Sequence, residues 1–532
     1  MKHEWSRREF LKFLGQSGLV ASSAVLMPMS LSRLLWAESG PFDGLSRSLA
    51  NSKDTLHTAA GVLWERVLSY EDEIFPDGRH FGYNNDFIGE ISLSSAQSVF
   101  MVNHESVSTL LVSGRKGNSP TLEQAKKERQ EVGVSVVVFE KDKEGKFNPV
   151  KGHRLNKRID SFSKIPFAAN VKVKGSNVAE GTLANCSGGV TPWKTFLTCE
   201  ENYDDCVGDY ALENGKFQKE EDSYGWTKHF KFQPEHYGWV VEVDPMTGKA
   251  KKHTSMGRFL HEGAFVVRAK DGTPVVYMGD DREDACIFKF VSDSKTNLDS
   301  GTLFVADTKN EKWIPLLREK SKKLKEAFAS QLEVMIYARE AARLVGGTPL
   351  DRPEGIAVNP KDNSVFVSLT GNAKALRFYG SIAKLVPANG DHKSEEFKFS
   401  TFVSGGSASG LLCPDNVAFD SKGNLWVTND VSEKLMGKGP YSSARRNGLF
   451  VVPTSGLDAG RVFQIASAPP DAELTGPCFC PSKKAIYVSV QHPGSGSQGL
   501  DRLSSHWPFG GKNIPKPSVV RISGPLIEKL IS

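Results

Sequence analysis

The chain has 532 residues, 39% hydrophobic and 24% charged, which excludes collagen-like, coiled-coil and wholly disordered architectures. Lys and Arg number 67 against 62 Asp and Glu; residues 1–37 hold five of the basic and two of the acidic ones, so the remainder carries only +2. That balance argues against nucleic-acid binding, which needs a concentrated basic face.

The N-terminus reads as an export signal. Ser6-Arg7-Arg8-Glu9-Phe10-Leu11-Lys12 places paired arginines before an apolar stretch rich in small residues, Phe13 to Leu26, the arrangement of a twin-arginine signal. Residues 1–37 are therefore expected to engage the twin-arginine translocase and direct the protein to the periplasm or the medium, with either cleavage near Ala37 or retention as an uncleaved anchor. No later segment reaches the roughly 18 apolar residues of a membrane span, so the exported protein is expected to be soluble. This route carries folded proteins, which hints at a cofactor loaded before export. Seven cysteines are an odd number, so in an oxidising compartment at least one is free, intermolecularly paired or a ligand.

Downstream, a two-strand phrase recurs. Glu262-Gly263-Ala264-Phe265-Val266-Val267 turns at Lys270-Asp271-Gly272 into Val275-Val276-Tyr277-Met278-Gly279. Pro353-Glu354-Gly355-Ile356-Ala357-Val358 returns through Val365-Phe366-Val367-Ser368, and Pro414-Asp415-Asn416-Val417-Ala418-Phe419 repeats the phrase through Leu425-Trp426-Val427-Thr428. Pro477-Cys478-Phe479-Cys480 with Ala485-Ile486-Tyr487-Val488-Ser489 is a weaker copy. The only helical pattern is a charged run from Glu311 to Leu344. The expected fold is all-β, a six-bladed β-propeller with inserted helical segments, forming one domain over 38–532 with a helical insertion at about 311–345. No heptad pattern or long apolar run asks for an oligomer, so a monomer is expected.

Aligned copies put Glu262, Glu354 and Asp415 at one position, at the head of each unit. In a propeller such positions converge on the central channel, where carboxylates repel unless cations lie between them. The second strands end on Asp280-Asp281, Thr370 and Asn429-Asp430. Upstream, Asn185-Cys186-Ser187-Gly188-Gly189 forms a Gly-rich segment leading to a strand that ends on Glu200-Glu201. Asp86 and Glu105 lie among amides at two further strand ends. Oxygen ligands of this kind suit calcium, and a thiolate beside carboxylates suits iron or zinc.

Asn185-Cys186-x-Gly-Gly-x-Thr-Pro-Trp, Thr198-Cys199-Glu200-Glu201-Asn202, Gly257-Arg258-Phe259-Leu260-His261-Glu262-Gly263, Gly279-Asp280-Asp281, Arg352-Pro353-Glu354 and Pro414-Asp415-Asn416 resemble, in this order, the motifs of the PhoX-type alkaline phosphatases. The resemblance spans about 80–490 and implies an exported hydrolase of small phosphate monoesters with ferric iron, Fe(3+), and calcium, Ca(2+), in the channel. It implies Cys186 as a thiolate iron ligand and Glu262 and Glu354 as carboxylate iron ligands at the reacting centre. Arg352 would hold the phosphate, and Glu200 or Glu201, Asp280, Asp281 and Asp415 would bind calcium or support the cluster. Lys194 replaces a glycine of that pattern and either adds a phosphate contact or marks a divergent branch. Two other readings share the carboxylate funnel: a calcium-dependent hydrolase of lactones or phosphotriesters, and a non-catalytic envelope binding protein. A salt bridge of Arg352 to Asp351 and a free buried thiol at Cys186 are the plain structural readings of those two residues.

Overall fold

Each blade strand alternates side chains between two faces, and both faces are covered by neighbouring blades. The strands therefore read as nearly unbroken apolar runs such as Val134 to Phe139, Val365-Phe366-Val367 and Leu449-Phe450-Val451-Val452. The computed structural model describes residues 42–49, 51–213 and 216–531, with the side chains of 211–219 excepted. The export signal expected over 1–37 lies outside the described residues. Phe42–Gly44 is a turn, and the unit from Leu45 onward carries everything below.

Six antiparallel sheets make six blades. Their inner strands are Asn85–Ser92, Asn185–Val190, His261–Arg268, Pro353–Val358, Pro414–Phe419 and Glu473–Phe479, each adjoining the next around the ring, and the last adjoining the first. Their hairpin partners are Gln97–His104, Phe196–Glu200, Pro274–Asp280, Val365–Leu369, Leu425–Asn429 and Ala485–Gln491. The expected hairpins of the last four blades are all present. The ring is closed by the N-terminal side of the unit: Leu63–Ser69 pairs antiparallel with Ser518–Ser523 as the outer strand of blade 6, and His57–Thr58 pairs with the outer strand of blade 5. Apolar clusters fill the gaps between blades. Val275 and Tyr277 of blade 3 meet Ile356, Val365 and Val367 of blade 4, and Phe100 and Val137 of blade 1 meet Tyr487 and Val519 of blade 6.

The segment expected to be helical from Glu311 is more mixed. Lys312–Pro315 is the fifth strand of blade 3, held because Trp313 packs on Tyr277 and Phe397, at ring distances of 6.0 and 5.0 Å. Three short helices follow, Lys322–Ala327, Gln331–Ile336 and Ala338–Val345. Ser321 and Ser330 cap the first two, their hydroxyls accepting from the Leu324 and Glu333 amides. The apolar sides of these helices, with Leu324, Val334 and Ala338, rest on Leu303 and Val305 of blade 3. No helix among the described residues is long and apolar enough to cross a membrane.

All six inner strands carry a register break near their start, for example between Asn85 and Ile88, Pro353 and Ile356, and Pro414 and Val417. The same break falls at Asn185/Gly188, Glu262/Phe265 and Thr475/Cys478. Such a bulge bends the strand and re-aims one side chain. In four blades the break holds the channel residue itself, Asp86, Cys186, Glu354 or Asp415, while Glu262 and Glu473 lie just ahead of theirs. Glycine lets the backbones meet there: a Cβ on Gly355 would lie 2.4 Å from the Asp415 carbonyl oxygen, and one on Gly279 2.3 Å from that of Pro353.

Candidate active site

At the head of the channel each blade contributes one acid or thiol from its inner strand: Asp86, Cys186, Glu262, Glu354, Asp415 and Glu473. A second tier comes from residues just past the partner strands, namely Glu105, Glu201, Asp281 and Asp430. Together with Arg352 these enclose a cavity of about 90 Å³. Polar side chains of one blade hold the inner strand of the next in place. Asn103 donates to the carbonyls of Cys186 and Ser187 at 2.9 and 2.8 Å, Thr370 to Pro414 at 2.7 Å, and Ser489 to Asp86 at 2.6 Å. Asn416 braces blade 5 against blade 6, donating to Asp415 at 2.8 Å and accepting the Gly476 amide at 2.6 Å.

The Cys186 thiol donates to Glu262 Oε2 at 2.8 Å, and ligand atoms of Cys186, Glu201 and Glu262 all lie within 4.8 Å of one another. Arg352 has a left-handed backbone, with φ at 55°. Its guanidinium is forked by Asp281, Nε to Oδ1 and Nη2 to Oδ2 at 2.8 Å each, while Nη2 also reaches Glu354 Oε1 at 2.7 Å. Asp351, the partner a plain salt bridge would use, is taken by Arg377 instead, with Nε 2.6 Å from Oδ2.

Nine carboxylates face a single arginine here, and the electrostatics follow. Burial, then neighbouring acids, push Glu201, Glu262, Glu354 and Asp86 well above the usual carboxylate range. Asp415 is raised to about 7 by burial and by Asp430 and Asp281, with Glu354 opposing. Burial acts upward on Asp281 too, yet Arg352 outweighs it and holds the carboxyl low. Burial and the adjacent acids raise the Cys186 thiol. The buried oxygens Asp86 Oδ1 and Glu473 Oε2 have no hydrogen-bond partner among the described residues. A thiol among carboxylates, with orphaned anionic oxygens and too few protein cations, is a donor set that fits bound metal ions.

Not every expected residue faces the channel. Glu200 turns into its blade, where buried Lys252 donates to it at 2.6 Å and the Leu183 and Trp239 amides donate at 3.2 Å. Asp280 is forked by Arg339 from the inserted helices, at 2.8 and 2.5 Å. Neighbouring strand residues point to opposite sides, so only Glu201 and Asp281 of the two pairs reach the axis. Lys194 lies in the turn at the far end of the blade 2 hairpin, exposed, with Nζ 3.5 Å from the Ser92 carbonyl, and does not line the channel. All seven cysteines are free and buried, so the Cys186 thiol is indeed unbridged, but it opens on the cavity. Glu473 escaped the repeat alignment because it is paired ahead of the break of its blade, four residues before Pro477, while Gly476 takes the place inside the break. The pairing of Glu473 with Gln491, both lining the cavity, marks it.

The fold and this donor set define a metal-dependent hydrolase on a six-bladed propeller. Residues 45–494 match the family described as Alkaline phosphatase PhoX, and the chain belongs to that family. It is thereby an alkaline phosphatase, a phosphoric monoester hydrolase. Among solved structures it is similar to Pseudomonas fluorescens PhoX in complex with vanadate, a transition state analogue, with a TM-score of 0.79 and 28% identity over 90% of this chain and 98% of that one. A Dyadobacter fermentans protein of unknown function has a TM-score of 0.40 at 11% identity, covering 88% of this chain and all of its own. The Xanthomonas campestris gluconolactonase XC5397 has a TM-score of 0.32 at 11% identity, covering 86% of this chain and all of its own. Neither of these two bears on function. No curated protein matches the chain.

Proposed function

We propose that the unit beginning at Leu45 is a single catalytic domain. It hydrolyses small phosphate monoesters after export by the twin-arginine route and acts as a monomer in the periplasm or outside the cell. Cys186, Glu262 and Glu354 would hold ferric iron, and Glu201, Asp415 and the added acids Asp86, Glu105, Asp430 and Glu473 would hold calcium. When bound, such ions polarise phosphoryl oxygens and lower the pKa of an oxygen nucleophile. The observation that carries this reading is the convergence of nine carboxylates and a thiol on one arginine in a cavity large enough for little beyond ions and a phosphoryl group.

Arg352 orients the substrate. Asp281 occupies Nε and Nη2, leaving Nη1 without a partner among the described residues on a side chain one-third exposed, so Nη1 donates to a phosphoryl oxygen entering the cavity. Asp281 then serves to fix the guanidinium rather than as an ion ligand. In the reaction the ester P–O bond breaks as a bond to water oxygen forms, and the alcohol leaves with a proton. The carboxylate funnel alone would equally serve a calcium-dependent lactonase or a binding protein, but Arg352 and Cys186 at its centre favour the phosphatase.

The test is phosphate release from an aryl phosphate at alkaline pH by protein purified with iron and calcium, with metal analysis of the same sample. Activity lost with chelator and regained with both ions is expected. A folded, metal-loaded protein that releases no phosphate would overturn the reading.

A further inference from the structure

A second cavity, of about 740 Å³, opens beside the channel and lies within the range of roughly 300–1,000 Å³ typical of small-molecule sites. The two share a wall. Ser106 and His492 line the larger cavity and directly follow Glu105 and Gln491, which line the channel. Asn84, also on the larger cavity, donates to Ser106 Oγ at 2.6 Å and accepts the His492 amide at 2.7 Å, and His492 Nε2 lies 2.9 Å from Glu473 of the channel. The channel itself leaves little room for an organic group, and this larger cavity lies directly across the Ser106 and His492 wall.

The wall is an array of hydroxyls. Ser106, Ser108 and Tyr224 each already accept a hydrogen bond, from Asn84, the Leu111 amide and the Val107 amide, and so turn their own protons to other partners. Tyr83, 1% exposed, lines the cavity with a buried hydroxyl that lies near Ser108 and has no well-formed hydrogen bond among the described residues. A buried donor left unmatched is costly, and a ligand oxygen would satisfy it. Among the described lining residues none is Lys or Arg, and His492 is committed to Glu473, while Glu433 adds a half-buried carboxylate. That wall suits hydroxyl groups and repels a second anion.

We propose that this cavity is the leaving-group subsite and that it takes an uncharged, hydroxyl-rich alcohol, a sugar or polyol, in preference to a plain alkyl group or one bearing a further negative charge. The proposal rests on the phosphatase reading and adds the substrate class.

The experiment compares kcat/KM of the metal-loaded enzyme for a hexose monophosphate, a simple alkyl phosphate and a hexose bisphosphate, with an aryl phosphate run in parallel. In Tyr83→Phe the hexose-to-alkyl ratio is expected to fall about tenfold, because the lost donor serves only a hydroxylated leaving group. In Glu433→Gln the bisphosphate-to-monophosphate ratio is expected to rise about tenfold as a like charge is removed. Either shift supports the subsite, and the second does not depend on how well the Tyr83 variant folds. Neither ratio moving, with the aryl phosphate still hydrolysed, overturns it. Failure to hydrolyse the aryl phosphate at all overturns the phosphatase reading first and this proposal with it.

Discussion

Arg352 is set in place before any substrate arrives, because Asp281 grips two of its donors in a planar fork. A lysine keeps the charge and loses the fork. Arg352→Lys is therefore expected to lower kcat/KM for an aryl phosphate by about 100-fold. Initial-rate kinetics on the metal-loaded variant decide this, and a loss under threefold would remove Arg352 from the substrate site. The neighbouring acids Glu200 and Glu201 separate two kinds of role in the same way. Glu200→Gln strips the partner from Lys252, whose side chain is 0% exposed, and a broken buried pair costs about 3–5 kcal/mol. Thermal unfolding should show that cost while the bound ions stay near wild type. Glu201→Gln should do the reverse, losing metal and activity while the stability of the chelated protein, with the Glu200–Lys252 pair intact, stays near wild type. Ion loss in Glu200→Gln with Glu201→Gln unaffected would reverse the assignment.

At the scale of the strand, the bulge and the glycine beside it set how tightly the channel is drawn. Gly355 follows Glu354 on the inner strand of blade 4, and its missing side chain lets the strand of blade 5 approach. With 2.4 Å between an added Cβ and the Asp415 carbonyl oxygen, Gly355→Ala forces two rigid backbones apart. The expected result is a destabilisation of about 2 kcal/mol or more, with activity falling as Glu354 and Asp415 separate. Denaturant unfolding and metal content measured together test this, since a variant with normal stability and ion content would show that the blades have slack.

For the whole molecule the channel is a store of charge that folding creates. Without cations, Asp415 holds its proton up to about 7, against about 4 for an ordinary carboxyl, so the folded state binds more protons than the unfolded state between those values. Stability therefore falls as pH rises through that window. Chelated protein should show a thermal midpoint that drops from about pH 4 to above pH 7, whereas the ion-loaded protein, whose cations replace the protons, should not. A chelated protein whose midpoint is flat or rises across this range would mean the acids are not packed as described.

Much of this was legible before any tertiary structure. Hairpin phrases at 353–369 and 414–429, and Glu262, Glu354 and Asp415 at their heads, depend on alternation and turn residues a few positions apart, which is local information carried by the chain itself. Cys186 likewise stood out beside its paired glycines, and Arg352 was marked only by the family resemblance. What only the tertiary structure decided are the choices made by register and ring closure. Glu201 faces the channel while Glu200 meets Lys252, Asp281 forks Arg352 while Asp280 meets Arg339, and Lys194 lies at the other end of its hairpin. Glu473 joins Asp86 across the point where the last blade meets the first, and Leu63–Ser69 completes that last blade from the other end of the unit. Those relations arise from bulges that shift strands by one residue and from contacts between residues hundreds of positions apart, which no local pattern encodes.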